Sequence, residues 1–588
     1  MPEANTKPVL HESSRIGIVN RGEPAIRFLR AVGEYNEAHG TTLTTVAFYL
    51  DEEADALFAR EADEAVPFRT IPGATQTGTV YLDHEVLLAG LQRAGCDGVW
   101  AGWGFVSEDA EFARLVADAG IVFLGPDHDA MGLLGDKIAA KDLAERSGVP
   151  ILPWSKREIG DLADARAVAE EIGYPVIVKA AHAGGGRGIR FVLTPEELEQ
   201  QLVSAREETK RITGDEIVFI ERLVRTGRHL EVQCIRDRHG NVFTFGVRDC
   251  SVQRRNQKVI EETPPPGMGE AQIAEIEAAA ARLVEAADYE SAGTVEFLFD
   301  IERDEFYFME VNTRLQVEHP ITEILYGVDL VKGQIDVAFG NELRFPEKYP
   351  RGVVLEARLN AEDPDRDFTP SPGFVRHFRP AAGPGVRVDS GIAQGSTIPS
   401  LFDSMVAKII VHGSDRPDAI ARLRRALRET RIAIAGGTTN KAFLLHLLSQ
   451  PEVIAGPVHT KYVEALLDRA ESRVRGEVPV AIVAAAVEAY LAQEADERTV
   501  FQRQILNFGF PRSAPTTGAR EVSFGYDGNA YAFTVRRVSP SAFELESEEE
   551  VIAAEYVSSE GESRLAYGGK RYAIQTIERG DALQVEVD

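Results

Sequence analysis

The chain has 588 residues, with 64 Lys and Arg against 93 Asp and Glu, a formal charge of −29. Length predicts several domains, and 44% hydrophobic with 27% charged residues fits packed globular structure rather than disorder. The acid excess repels polyanions, which excludes general binding to nucleic acid or an anionic membrane. Three scattered cysteines, Cys96, Cys234 and Cys250, exclude a disulfide framework or a tetrahedral zinc site and suit a reducing cytoplasm. Met1 to Glu12 lacks the apolar centre of a secretory signal, and the run Val480–Gln493, which contains Glu488, is short and charged for a membrane span.

Residues 15 to 135 alternate apolar runs with helical patterns: strands at 15–20, 43–50, 98–101 and 121–125, and a helix at 24–35. This predicts a doubly wound domain with a parallel sheet. The loop Asn20-Arg-Gly-Glu23 lacks the three-glycine dinucleotide fingerprint. Over 136–215 a strand at 176–180, a glycine turn and a strand at 189–192 follow one another, the order of a hairpin lid and not of a Walker loop. Residues 216–467 alternate strands and helices. From about 475 to 588 one Ala-rich helix (about 479–497) precedes period-2 runs around Asp527-Gly528 and Gly568-Gly569, which predict an antiparallel barrel or sandwich with one helix.

The turn Ala183-Gly-Gly-Gly-Arg-Gly188 follows Lys179. Glycines let backbone N–H groups close on phosphate oxygens, and a lysine adds a point charge. Strands 294–300 and 306–312, joined by a turn near Arg303, place Glu296 and Glu310 opposite one another, with Asn312 beside them. Facing carboxylates repel unless a cation lies between them, and this oxygen set suits Mg²⁺. Asn312, Arg314, Gln316 and Glu318 alternate with apolar residues, so an extended segment presents a guanidinium to clamp a planar anion and a carboxylate to act as base. A structural ion-pair ladder is the other reading of that alternation. Gln253-Arg-Arg-Asn-Gln-Lys258 concentrates positive charge and suggests an anion pocket. By base rates His229 and His319 read as satisfied structural residues. Together these features point to an ATP-dependent ligase acting on a small acid.

Gly135-Asp-Lys137, Val178-Lys179, Arg228-His-Leu-Glu231, Arg248 to Lys258, Glu310-Val-Asn-Thr-Arg314, Gln316-Val-Glu-His-Pro320 and Ala357-Arg-Leu-Asn-Ala-Glu-Asp363 stand in one order over about residues 15–467. In these segments the sequence resembles the biotin carboxylase component of biotin-dependent carboxylases, an ATP-grasp family. Val99-Trp-Ala-Gly-Trp-Gly104 and Leu152-Pro-Trp-Ser155 look like the version in large single-chain acetyl-CoA carboxylases, and the tail is similar to their linker domain. The resemblance implies that ATP phosphorylates bicarbonate, that carboxyphosphate breaks down to CO₂ and phosphate, and that carrier-bound biotin is carboxylated. It implies ATP phosphates at Lys137 and Lys179 under Gly184, Gly185, Gly186 and Gly188, and adenine and ribose near Glu221, His229 and Gln253. It implies Mg²⁺, or alternatively Mn²⁺, at Glu296 and Glu310 with Asn312, and bicarbonate at Lys258, Arg314, Gln316 and the Val317 backbone. Glu318 would be the base, and Arg358 would steady the biotin enolate.

Implied partners are a biotin carboxyl carrier, a carboxyltransferase and a second copy of the chain. His182 and Ala183 stand where family lids carry glycine, which would stiffen closure, and Asn256 stands where a nucleotide-contacting histidine is common. No methionine adjoins a lysine, so no Met-Lys-Met biotin-attachment motif occurs, and the chain ends about where a carrier domain would begin. Two other readings remain: a carbamoyl-phosphate-type enzyme passing bicarbonate to ammonia, and an inactive assembly subunit.

Overall fold

A computed structural model describes all residues except 1–6, 183–187, 347–349, 470–477, 511–517, 527, 549, 559–562, 580–581 and 588. The chain forms two compact units, residues 1–432 with 437–472, and residues 433–436 with 473–588.

The first unit opens with a five-stranded parallel sheet, β1 (Arg15–Ile18), β2 (Thr44–Tyr49), β3 (Glu64–Pro67), β4 (Gly98–Trp100) and β5 (Val122–Phe123), in the order β3-β2-β1-β4-β5. The continuous apolar runs are strands buried on both faces; the short, half-polar β3 escaped the sequence reading because it lies at an edge. Strand order reverses between β1 and β4, where parallel sheets bind ligands at their carboxyl ends. There the Asn20 amide donates to the carbonyls of Ala101 (2.6 Å) and Trp103 (2.9 Å), tying the two loops together.

A three-stranded antiparallel sheet follows, β6 (Val176–Ala180) between β7 (Arg190–Val192) and β8 (Val218–Arg222). The antiparallel pairing of β6 with β7 is the one a hairpin lid requires. Gly188 closes it at φ +69°, its carbonyl accepting from the Ala180 N–H at 3.1 Å. Gly184, Gly185, Gly186 and Ala183 lie outside the described residues.

The largest sheet is antiparallel and eight-stranded. β13 (Glu305–Asn312), β12 (Ser291–Asp300), β9 (Gly227–Arg236), β10 (Val242–Arg254), β11 (Gln257–Thr263) and β14 (Val353–Asn360) are followed by Met405–Gly413 and Val386–Ser390. One face packs on the helix Glu270–Ala286 around Leu230, Val232, Phe297 and Phe308.

In the second unit seven antiparallel strands, from Arg520–Tyr526 to Ala582–Val587, pair each with the next. Tyr526 pairs with Asn529 and Tyr567 with Lys570, so these strand pairs reverse where the sequence places them; Asp527 lies outside the described residues. The first and last strands both pack on the helix Val478–Phe508, so the sheet curls around it; among the described residues they do not pair with each other. That helix has 31 residues, longer than expected, because nothing from Arg498 to Phe508 breaks it before Gly509. By length and composition it could therefore cross a membrane, which revises the argument from the shorter run. Its Val480, Val483, Val487 and Tyr490 are nevertheless buried in the core of this unit.

Candidate active site

The carboxyl ends of the parallel sheet, the lid strands and one face of the large sheet enclose a cavity of about 1580 Å³. Its wall is set by register. Glu310 pairs with Glu296, Glu296 with Glu231, and Glu231 with Arg248, so three carboxylates and a guanidinium lie in one row across β13, β12, β9 and β10. A bulge directly after Glu296 locally re-aims the strand. Neighbouring like charges are costly, and the cost is met by interleaved cations.

Arg248, fully buried, donates to Glu231 (2.5 Å) and to Gln233 (2.8 Å). Lys258 contacts Glu231 (2.6 Å) and Glu296 (3.3 Å) and donates to Glu318. Lys137 approaches Glu310 at 3.1 Å, and His229 approaches Glu296 at 3.1 Å. Burial would raise the Glu296 carboxyl, but His229 and Lys258 outweigh it and hold the group well below the ordinary range. Burial likewise works against Glu318, and Lys258, Arg358 and Arg248 overcome it.

Arg358 bridges two carboxylates, Nε to Glu261 (2.6 Å) and Nη2 to Glu318 (2.9 Å). Burial lifts Glu261 to about 7 despite that guanidinium, and Glu356, paired with it across the strands, is raised as well.

The anion-clamp segment departs from simple alternation. Asn312 ends β13, bends follow, and Glu318 sits at the N-cap of the helix His319–Tyr326, which opens with Pro320. An extended run does not carry Glu318 to the site; a turn at 317–318 does, with Glu318 itself out of the strand region at φ −82° and ψ 9°. Arg314 still reaches Gln316 (3.0 Å) and Asn312 (3.3 Å), and Gln316 reaches Glu296 (3.2 Å). Asn312 turns its amide nitrogen to Glu296 at 2.8 Å. Part of the Arg314 guanidinium is taken by Glu108 at 2.9 Å. Val317 lines the cavity, and its carbonyl accepts from the buried Lys408 at 3.0 Å.

Of the basic run, Lys258 alone joins the carboxylates: Arg254 stacks on Phe368 at 4.0 Å and Arg255 pairs with Asp367 at 2.9 Å. Asn256, at φ +64°, forms the β10–β11 turn with Arg255 at φ +48°, a conformation asparagine tolerates well. His182 hydrogen-bonds Asp215 at 2.8 Å. Gln253 and His229 line the cavity. The Glu221 side chain does not: its carboxylate is buried behind the wall, bound to Lys179 and to Lys141 (2.7 Å). The resemblance places it around adenine and ribose, whereas the structure puts it beneath the lysines.

Sequence reasoning assigned no role to Glu231, Arg248, Lys141, Glu261 or the buried pair Lys408–Glu23 (3.0 Å). A charged residue in the buried middle of a long strand, as Glu231 and Arg248 are, was the available signal.

Three family models match: biotin carboxylase N-terminal domain over residues 12–131, carbamoyl-phosphate synthase L chain ATP-binding domain over 136–345, and biotin carboxylase C-terminal domain over 356–465. Biotin carboxylase 1 of Bacillus subtilis is 41% identical over 76% of this chain and 97% of its own length. The chain belongs to the biotin carboxylase family. The biotin-dependent acyl-coenzyme A carboxylase alpha3 subunit of Mycobacterium leprae is 41% identical over 77% of this chain and 75% of its own. The biotin carboxylase domain dimer of Hydrogenobacter thermophilus 2-oxoglutarate carboxylase, solved with MgADP and bicarbonate, superposes with a TM-score of 0.72 at 36% identity, covering 77% of this chain and 98% of that one. As a biotin carboxylase the chain is an ATP- and Mg²⁺-dependent ligase that carboxylates biotin with bicarbonate. The ATP-binding model shares its name with carbamoyl-phosphate synthase, but the domains on either side are those of biotin carboxylase, which removes the carbamoyl reading.

The donor set fits the metal: two carboxylates from adjacent strands on the cavity wall are hard oxygen donors of the kind Mg²⁺ takes alongside substrate phosphates, and Asn312 lies beside them with its amide nitrogen towards Glu296.

Proposed function

We propose that the cationic and carboxylate groups on this wall divide the reaction among them, and that the chain performs the first half-reaction of an acyl-CoA carboxylase. The observation that carries the assignment is Glu318, a buried carboxylate held between Lys258 and Arg358. Lys137 and Lys179 take nucleotide phosphates under the hairpin of Gly184, Gly185, Gly186 and Gly188, with His229 and Gln253 near the sugar and base. Glu296 and Glu310, with Asn312 beside them, hold Mg²⁺, which neutralises charge on the transferred phosphoryl group.

Bicarbonate lies against Lys258, Arg314, Gln316 and the backbone of Val317. In the ligand-free arrangement Glu318 is a weak base because two cations bind it. When Lys258 turns to the anion, one of the cations holding Glu318 down is withdrawn and burial raises its proton affinity, so it removes the bicarbonate proton as the bicarbonate oxygen attacks the γ-phosphorus. ADP leaves, carboxyphosphate yields CO₂ and phosphate, that phosphate takes the N1′ proton of biotin, and the resulting enolate, steadied by Arg358, attacks CO₂ through N1′. The biotin is carrier-bound, a carboxyltransferase receives its product, the chain pairs with a second copy, and the curled C-terminal sheet links carrier and transferase. The name of the M. leprae relative supports the acyl-CoA assignment.

ADP release is the test. Bicarbonate-dependent release should be stimulated by free biotin, and Arg358→Met should lose that stimulation while keeping the bicarbonate dependence. Lys258→Met should lose the bicarbonate dependence itself. An Arg358→Met enzyme with full biotin stimulation would remove the enolate assignment.

A further inference from the structure

Lys141 has no part in the roles above, yet it is one of the most deeply buried cations in the chain. It lies one turn after Lys137 in the helix Lys137–Arg146, so both lysines point to the same side, and both line the cavity. Its ammonium stands 2.7 Å from one oxygen of Glu221, whose other oxygen binds Lys179. The rings of Trp154 and Phe219, themselves packed edge to face, flank it at 5.8 and 6.0 Å. Two cations thus share one buried anion; burial pulls the Lys141 ammonium down from its ordinary range, Glu221 works against that pull, and with both lysines protonated the triad carries a net positive charge. Were Lys141 neutral, Glu221 and Lys179 would close into a neutral pair, and drawing Lys179 to a phosphate would strand a buried carboxylate.

We propose that Lys141 is a positioning residue for nucleotide binding: it pairs with Glu221 and thereby leaves the charge of Lys179 available to the phosphates. Lys141 acts through Glu221 rather than by touching the nucleotide. The proposal rests on the reading of Lys179 as a phosphate ligand.

Calorimetric titration of the full chain with MgADP tests it without turnover. Lys141→Met should weaken MgADP binding about tenfold, Lys141→Arg should restore most of the affinity, and in a Glu221→Gln background Lys141→Met should change affinity by less than about twofold. The double variant is charge-balanced, so it still reports where Lys141→Met alone folds poorly. Equal losses in both backgrounds would mean that Lys141 contacts the nucleotide directly and would overturn the proposal, as would no loss in the first. Lys179→Met separates the premise: if it leaves MgADP affinity unchanged, the phosphate reading of Lys179 fails and this inference with it. If it weakens binding while Lys141→Met does not, only the inference fails.

Discussion

Replacing Glu318 with glutamine keeps the shape of the side chain and removes both its charge and its capacity to take a proton. A positioned general base contributes about 10²–10⁴ in rate, or roughly 3–5 kcal/mol at 1.36 kcal/mol per tenfold. The structural cost is smaller than the usual penalty of about 3–5 kcal/mol for breaking a buried pair, because neither cation is stranded. Lys258 keeps Glu231 at 2.6 Å and Glu296 at 3.3 Å, and Arg358 keeps Glu261 at 2.6 Å. A loss of about 1.5–3 kcal/mol, the size of a hydrogen bond to a charged group, leaves a chain of ordinary stability folded. Nucleotide affinity should not move, since Lys137 and Lys179 pair with Glu310 and Glu221 and not with Glu318. Biotin-stimulated ADP release at saturating bicarbonate, measured beside MgADP titration and thermal melting, separates these effects. Turnover within about threefold of wild type, in a folded protein with normal MgADP affinity, would refute the assignment of Glu318 as the base.

Glu296→Gln should shift the Mg²⁺ activation midpoint upward by at least about tenfold while leaving the melting temperature within a few degrees; an unmoved midpoint would place the metal elsewhere. Gly188→Ala brings a Cβ to 2.7 Å from the Ala180 Cβ at a φ of +69°, so the hairpin should lose about 1–3 kcal/mol and KM for ATP should rise severalfold at unchanged bicarbonate KM. Glu323, buried, bonds Arg27 at 2.9 Å and Arg387 at 2.8 Å; burial would raise its carboxyl, but the two arginines hold it below the ordinary value. A depressed folded pKa gives stability that is present above the unfolded value near 4 and lost as pH falls below it, so Glu323→Gln should cost about 3 kcal/mol at pH 7 and progressively less below about pH 4 in urea melts. A difference independent of pH would contradict that linkage.

What the sequence determined by itself was whatever depends on local period and local chemistry. Continuous apolar runs became the parallel strands of a buried sheet; paired turn residues marked the reversals between Tyr526 and Asn529 and between Tyr567 and Lys570. A strand of known turn position set Glu296 opposite Glu310, because side-chain direction along a strand follows a period of two. Ordered motifs named the family before any contact was known.

Tertiary structure decided everything that depends on which strand lies beside which. Glu231 and Arg248 are distant from Glu296 and Glu310 in the chain and become their neighbours through the pairing of β9 with β12 and of β10 with β9. The position of Glu318 follows from a helix start that breaks the alternation, and Glu221 moves behind the cavity wall because β8 lies beside β6, where Lys179 and Lys141 both reach it. Which cation neutralises which buried carboxylate is a long-range property. Desolvation makes every such charge costly until a partner arrives, and the partner is supplied by an element remote in sequence.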